Sequence, residues 1–325
     1  MPGIIEITAW HYVGFVAAVL VFLALDLGVF HREAHVVKFR EALGWTAFWF
    51  ALAMVFAAVI KFNRPPGESI EFVTGYIIEL SLSMDNVFVI ALIFAYFRVP
   101  LAHQHRVLFW GILGALVMRG VMIGAGAVLI KQFHGMLYVM GGFLVFTGIK
   151  MLFVDDDGVH PEKNLFIKLA RKLFPVTDAF NGQHFTAKLD GRIALTPLAL
   201  VLLMVETTDL VFAVDSIPAI FAVTQDTFIV FTSNVFAILG LRSLYFVLAG
   251  AIGYFRYLKV GLSLVLVFIG VKMLLGMWEI QIRSGVSLIV VAAIILVSMG
   301  LSIWSARRER NGQTADDEPP STGTK

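Results

Sequence analysis

The chain has 325 residues, 59% of them hydrophobic and only 15% charged, with a mean hydropathy of +0.86 and a net charge of +2. Soluble domains carry about 25% charged residues, so this composition excludes an ordinary soluble protein and specifies a polytopic membrane protein. The near-neutral balance argues against nucleic-acid binding, and the absence of cysteine excludes disulfides, thiolate metal sites and cysteine nucleophiles.

Apolar runs of about 20 residues mark membrane spans. In chain order they cover residues 10–30, 43–62, 70–97, 107–130, 135–154, 194–223, 228–255, 258–277 and 285–304, which predicts nine helices. Glu6 and no basic residue precede the first run, so it lacks a signal-peptide n-region and is expected to be retained. The third and sixth runs exceed what a span requires, which predicts tilt, a break or extension beyond the bilayer. Sixteen lysines and arginines, from Arg32 to Arg310, fall in one set of connections, against Lys61, Arg64, Lys131 and Arg283 in the other. By the positive-inside rule the N-terminus is outside and the C-terminus cytoplasmic, as for an inner (plasma) membrane protein.

Residues 1–310 therefore read as one transmembrane domain, interrupted by one sizeable loop at 155–193. In that loop, Asp155-Asp156-Asp157 reads as a solvated acidic turn rather than a cation site. Asn164 to Phe174 interleaves apolar and basic residues at helical spacing, as an interfacial helix does. Residues 311–325 are polar and expected to be a disordered cytoplasmic tail.

Two halves of the chain share landmarks in one order. Asp85-Asn-Val-Phe, Arg119 and Gly148-Ile-Lys150-Met-Leu in the first match Asp209-Leu-Val-Phe, Arg242 and Gly270-Val-Lys272-Met-Leu in the second. The acid-to-arginine spacings are 34 and 33 residues, the arginine-to-lysine spacings 31 and 30. Each half (about 70–154 and 194–277) holds three spans, an odd number, so the second enters the membrane from the opposite side. Inverted repeats of this kind are a transporter architecture with the substrate near the midplane.

Six carboxylates lie well inside the predicted spans, away from their ends: Asp26, Glu79, Asp85, Glu206, Asp209 and Asp215. A charge at the bilayer centre costs about 2.5–3.5 kcal/mol on insertion scales, so such residues need a function or a partner. The bland reading, internal ion pairing, is as good as the functional one for Asp26, Asp215, Arg119 and Arg242. Lys150 and Lys272 lie near helix ends, where snorkelling is the better account. Glu79, Asp85, Glu206 and Asp209 differ because they gather on two spans related by the repeat. Glu79, Ser83 and Asn86 share one helical face at i, i+4 and i+7, and Asp85 would join them if the helix unwound near Ser83-Met84. Glu206 and Asp209 are neighbours at i, i+3. Acids this close must be protonated or bridged by a cation. Oxygen ligands without cysteine or an intramembrane histidine select a hard divalent ion, Mn²⁺, Ca²⁺ or Mg²⁺. Glu79, Asp85, Glu206 and Asp209 are the candidate metal ligands, with Ser83, Asn86, Asp215, Ser216, Asn234, Asp26, Arg119 and Arg242 in supporting or gating roles. His103 and His105 read as solvated. Carboxylates also carry protons, so ion and proton would compete for one site, as in antiport.

The strings Glu79-x5-Asp85-Asn86-Val-Phe-Val, Glu206-x2-Asp209-x2-Phe-Ala-Val-Asp215-Ser-Ile-Pro-Ala and Asn234-x-Phe-Ala-Ile-Leu-Gly-Leu-Arg242 resemble the TerC integral membrane family, in particular its Alx branch. The resemblance covers about residues 10 to 305. It implies kinship with LysE-type exporters and Mn²⁺ efflux, with Glu79, Asp85, Glu206 and Asp209 in the acidic site. It also implies partners among the secretion machinery or secreted metalloenzymes that receive the metal. Two other classes compete. A non-transporting membrane scaffold has no use for Glu206, Asp209 and Asp215. An intramembrane aspartyl protease would need a Gly-x-Gly-Asp context, which is absent, so no enzyme activity is expected.

Overall fold

A computed structural model describes residues 6–25, 39–133, 135–153, 162, 164–189, 191–249, 258–278, 280 and 282–316. The protein is an all-α polytopic membrane protein. Its helices are α1 (Ala9–Leu25), α2 (Phe39–Asn63), α3 (Glu68–Tyr96), α4 (Leu101–Gln132), α5 (Met136–Phe153), α6 (Leu165–Leu173), α7 (Pro197–Phe221), α8 (Thr227–Ala249), α9 (Leu258–Leu275) and α10 (Ser284–Asp316). Among the described residues, eight are long and apolar enough to cross a membrane, and α1 is a shorter apolar helix. The first predicted run continues beyond α1 into residues outside the described ones, as do Asp26 and the Asp155–Asp157 run.

Three expectations are corrected. The sixth span does not begin at residue 194, because Arg192–Leu195 is a strand paired antiparallel with Thr186–Leu189. Its Ala194-Leu195 is apolar enough to read as the start of the span. In the sequence Asp190-Gly191 separates the two strands, a hairpin signal, and Gly191 has φ 78°. Helix α7 starts instead at Pro197, whose fixed φ and missing N–H suit the first helical position. Second, neither α3 nor α7 is broken. Ser83-Met84 lies within continuous α3, and α7 runs through Pro218 to Phe221. Third, α10 continues to Asp316, so residues 311–316 extend a helix rather than begin a disordered tail.

The dominant packing pairs each helix of the first half with one of the second: α5 with α9, α3 with α8, α4 with α7. Helix α8 is the most enclosed, with 89% of its span buried against 22% for α2 and α10, which wrap the outside. The α5–α9 crossing is antiparallel and glycine-mediated. A Cβ on Gly270 would meet the Gly141 carbonyl oxygen at 2.6 Å and Val145 at 2.8 Å. One on Gly148 would meet the Ser263 carbonyl oxygen and Val267, both at 2.8 Å. Under the sequence repeat, Gly148 corresponds to Gly270, Val145 to Val267 and Gly141 to Ser263, so the two contacts are equivalent residue for residue. Small residues let membrane helices approach this closely. Gly270→Val is therefore expected to destabilise the protein by about 1–3 kcal/mol through overpacking, read as a lower Tm in detergent. An unchanged Tm would show that the crossing has slack.

At the end of the bundle where α2 meets α3, Arg64 donates to Glu68 (2.7 Å) and to Asp226 (2.6 Å), clamping that turn to the α7–α8 connection.

Candidate cation site

Helices α3, α4, α7 and α8 converge on one buried polar cluster. The helical period brings Glu79, Ser83 and Asn86 onto one face of α3, and all three are buried. Helix α7 contributes Asp209 and, two turns on, Ser216, while α8 contributes Asn234. Between them stands Arg119 of α4, only 1% exposed. Its Nη2 and Nε donate to the two carboxylate oxygens of Asp209, at 2.7 and 3.2 Å. Its Nη1 pairs with Glu79 and reaches Ser216 Oγ and Asn234 Oδ1, each at 3.5 Å. Asn86 Nδ2 donates to Asp209 Oδ1 at 3.2 Å. The planar guanidinium, with donors in a fixed fork, is the side chain suited to a two-pronged grip on one carboxylate while facing a second.

Hydrogen bonding is incomplete here, and two carboxylates converge on the Arg119 guanidinium. Glu79 Oε2, Ser83 Oγ and Asn86 Oδ1 are buried without a hydrogen-bond partner, as is Asn234 Nδ2. Buried polar atoms are ordinarily partnered, so three bare oxygens along one helix face call for a donor or a cation. A small cavity of about 20 Å³ runs from Asp209 to Arg242 between Ile90, Ile112, Val205 and Leu241, with room for one water-sized occupant.

The expected gathering of four acids is corrected: among the described residues no three acids or histidines converge as metal ligands. Glu79 and Asp209 meet, but at an arginine. The pairing of Arg119 that the bland reading foresaw is real, because a guanidinium fixed on α4 reaches both carboxylates. Glu206 lies one turn before Asp209 and packs its carboxylate onto α4 at Gly114, where a Cβ would sit 2.1 Å from Oε1. Asp85 is half-buried on another face of α3, because the helix does not unwind, and it is engaged in an interaction of its own. Asp215 lies outside the cluster, accepting a hydrogen bond from Thr147 of α5 and facing Lys150. Lys272, the repeat counterpart of Lys150, faces Glu71 of α3.

His103 and His105, expected to be solvated, are half-buried. His105 Nε2 lies 3.3 Å from Arg242 Nη1, and the His103 ring packs edge-on to Phe180. Both sit in the first turns of α4, under the segment that follows α6. Sequence reasoning missed Gly114 and Asn164. The signal for Asn164 was its place immediately before the amphipathic run, where an N-cap belongs.

The sequence profile of the "Integral membrane protein TerC family" matches residues 64–311. An "Uncharacterized membrane protein STKORF319" of Myxococcus xanthus is 51% identical over 309 residues, 95% of this chain and 96% of that one. A protein of Escherichia coli (strain K12) named "Putative membrane-bound redox modulator Alx" is 44% identical over 300 residues, 90% of this chain and 93% of its own. An uncharacterized membrane protein of Rickettsia felis is 39% identical over 289 residues, 89% and 96% of the two chains. No solved structure matches.

Proposed function

This chain belongs to the TerC family of integral membrane proteins, and from that premise we propose that it is a secondary transporter exporting divalent metal cations, Mn²⁺ foremost, in exchange for protons. The observation that carries the reading is the buried cluster in which two carboxylates share one guanidinium beside three bare oxygens on α3, Glu79 Oε2, Ser83 Oγ and Asn86 Oδ1. A proton or a cation relieves the same deficit, which is the chemical basis for exchanging one against the other. The ligands are hard oxygens, which favours Mn²⁺, Ca²⁺ or Mg²⁺ over softer metals. In this reading Glu206, one turn away on α7, passes the ion toward or from the cluster.

Arg119 serves as the resident counter-ion. It holds Asp209 in two-point contact when no metal is present, so the cluster is never left with two naked carboxylates. The two-fold equivalence of the α5–α9 contacts supports the inverted-repeat reading, in which one half rocks against the other. The lysine and arginine asymmetry assigns the basic loops to the cytoplasmic side; export is the proposed direction, away from those loops, with secreted metalloenzymes as the proposed recipients. The cluster does not favour an aspartyl protease, because the two acids that meet are separated by a guanidinium instead of sharing a proton. The chain has no cysteine, so a redox effect such as the relative's name suggests would run through the metal and not through thiols of these residues.

The test is Mn²⁺ flux into vesicles holding the purified protein with its basic loops outward, with and without an acid lumen. Expected is uptake that rises with the gradient, is inhibited by competing Ca²⁺ or Mg²⁺, and is lost in Glu206→Gln. If none of the three ions moves, the transporter reading is wrong and the scaffold reading replaces it.

A further inference from the structure

The geometry points to α6 as a docking surface for anionic phospholipid headgroups, keyed to the cation site through Asn164. The influence on the site rests on the transporter reading, whereas the lipid contact does not. With about 100° of rotation per residue, Lys168, Arg171 and Lys172 share one side of α6. Leu165, Phe166, Leu169 and Leu173 share the other, and all seven are exposed. Exposed apolar residues beside a basic face, at the end of the bundle where the basic connections collect, are complementary to an anionic leaflet. The apolar side enters the acyl boundary and the basic side meets the headgroups. A soluble protein partner would have to cover the same apolar face without the bilayer that the neighbouring spans already require.

Two contacts tie this helix to the interior. Asn164 caps α6, its Oδ1 accepting from the backbone N–H groups of Phe166 and Ile167 at 2.9 and 3.1 Å. The Nδ2 of the same side chain donates to Thr207 Oγ1 at 2.8 Å and lies 3.4 Å from Met204 Sδ, both on α7. Thr207 is the residue after Glu206. Ile167, the buried residue of α6, belongs to the same apolar cluster as Ile90, Leu108, Val205 and Leu241, which line the cavity beside Asp209. One short helix thus has its outer faces suited to lipid and its cap and single buried side chain set into the wall of the site. Headgroup binding holds α6 down and closes that wall; loss of it frees Asn164 from α7.

The cysteine-free chain allows a direct test with Met204→Cys, which places a single thiol beneath α6 at a position only 8% exposed. The protein is reconstituted in phosphatidylcholine alone, or with one-third phosphatidylglycerol, and labelled with a water-soluble maleimide in the absence of metal. Each basic residue near an anionic surface contributes roughly a fivefold preference, so labelling is expected to slow by at least about tenfold with phosphatidylglycerol. High salt, or the combined Lys168→Gln, Arg171→Gln and Lys172→Gln substitutions, should abolish the difference. Thr207→Val keeps the α6 cap and removes the acceptor that Asn164 Nδ2 uses on α7, so labelling should be fast in both lipids. Equal rates in the two lipids for the otherwise unaltered protein would overturn the lipid site. A lipid effect that survives the triple substitution would assign it elsewhere and overturn the role of α6. Protection retained in Thr207→Val would overturn the link to α7. Labelling is read without any flux, so failure of the transporter reading leaves a separate record.

Discussion

Arg119→Ala is expected to be the most damaging single substitution in the membrane domain, costing about 3–5 kcal/mol, the typical loss when one partner of a buried ion pair is removed. It would leave Glu79 and Asp209 facing one another with no cation between them, both buried. Thermal unfolding in detergent checks this, and a sharp fall in Tm is the expected result. Asp209→Asn on the Arg119→Ala background should recover part of the loss, since it removes one of the stranded charges. The coupling between the two sites should fall in the range of about 0.5–3 kcal/mol seen for residues in contact. Arg119→Lys should not substitute, because an ammonium cannot grip Asp209 at two points while reaching Glu79. A Tm unmoved by Arg119→Ala would mean that the arginine does not hold the cluster together.

Glu79→Gln is expected to act in the opposite direction on stability and to eliminate ion binding. The glutamine is isosteric and leaves Arg119 paired with the single carboxylate of Asp209, so the metal-free protein should melt at the same temperature or higher. The unaltered protein should instead gain stability from Mn²⁺, by roughly 2.7 kcal/mol at a concentration of 100 Kd. In Glu79→Gln that gain should vanish, along with flux. If Mn²⁺ stabilised Glu79→Gln as much as the parent, the bare oxygens of α3 would not be the ion's ligands.

These two expectations depend on different parts of the reading of the chain. The face made by Glu79, Ser83 and Asn86 was legible because helical spacing is a local property, and α3 is a continuous helix. The importance of Arg119 was legible from its counterpart Arg242 at matching spacing, but its partner was not. Arg119 and Asp209 are 90 residues apart, and the sequence offered several acids at comparable distance along the chain. Which one the guanidinium takes depends on α4 packing against α7, a contact decided by side chains along both helices. Asp85 and Asp209 illustrate the same point. They are equivalent landmarks of the repeat, yet only Asp209 faces Arg119. The hairpin at Thr186–Leu189 and Arg192–Leu195 was overlooked because hydropathy merged its second strand with the following span, although the Asp190-Gly191 turn signal was present.

Composition, apolar run length and charge asymmetry by themselves determined that the chain is a multi-pass membrane protein, where its spans lie, and that α3 and α7 carry acids that need an explanation. Those are properties of single segments in contact with a solvent, lipid or water, and a segment carries them wherever it packs. The tertiary structure alone decided that Arg119 stands between Glu79 and Asp209, that Glu206 rests on Gly114, that Asp215 belongs with Thr147 and Lys150, and that Asn164 reaches Thr207. Each of these is a choice among partners on different helices. In a low-dielectric interior, moving a charge by one helical turn changes which partner satisfies it. Such choices follow from which helix faces which and at what height, and only the packed bundle sets that.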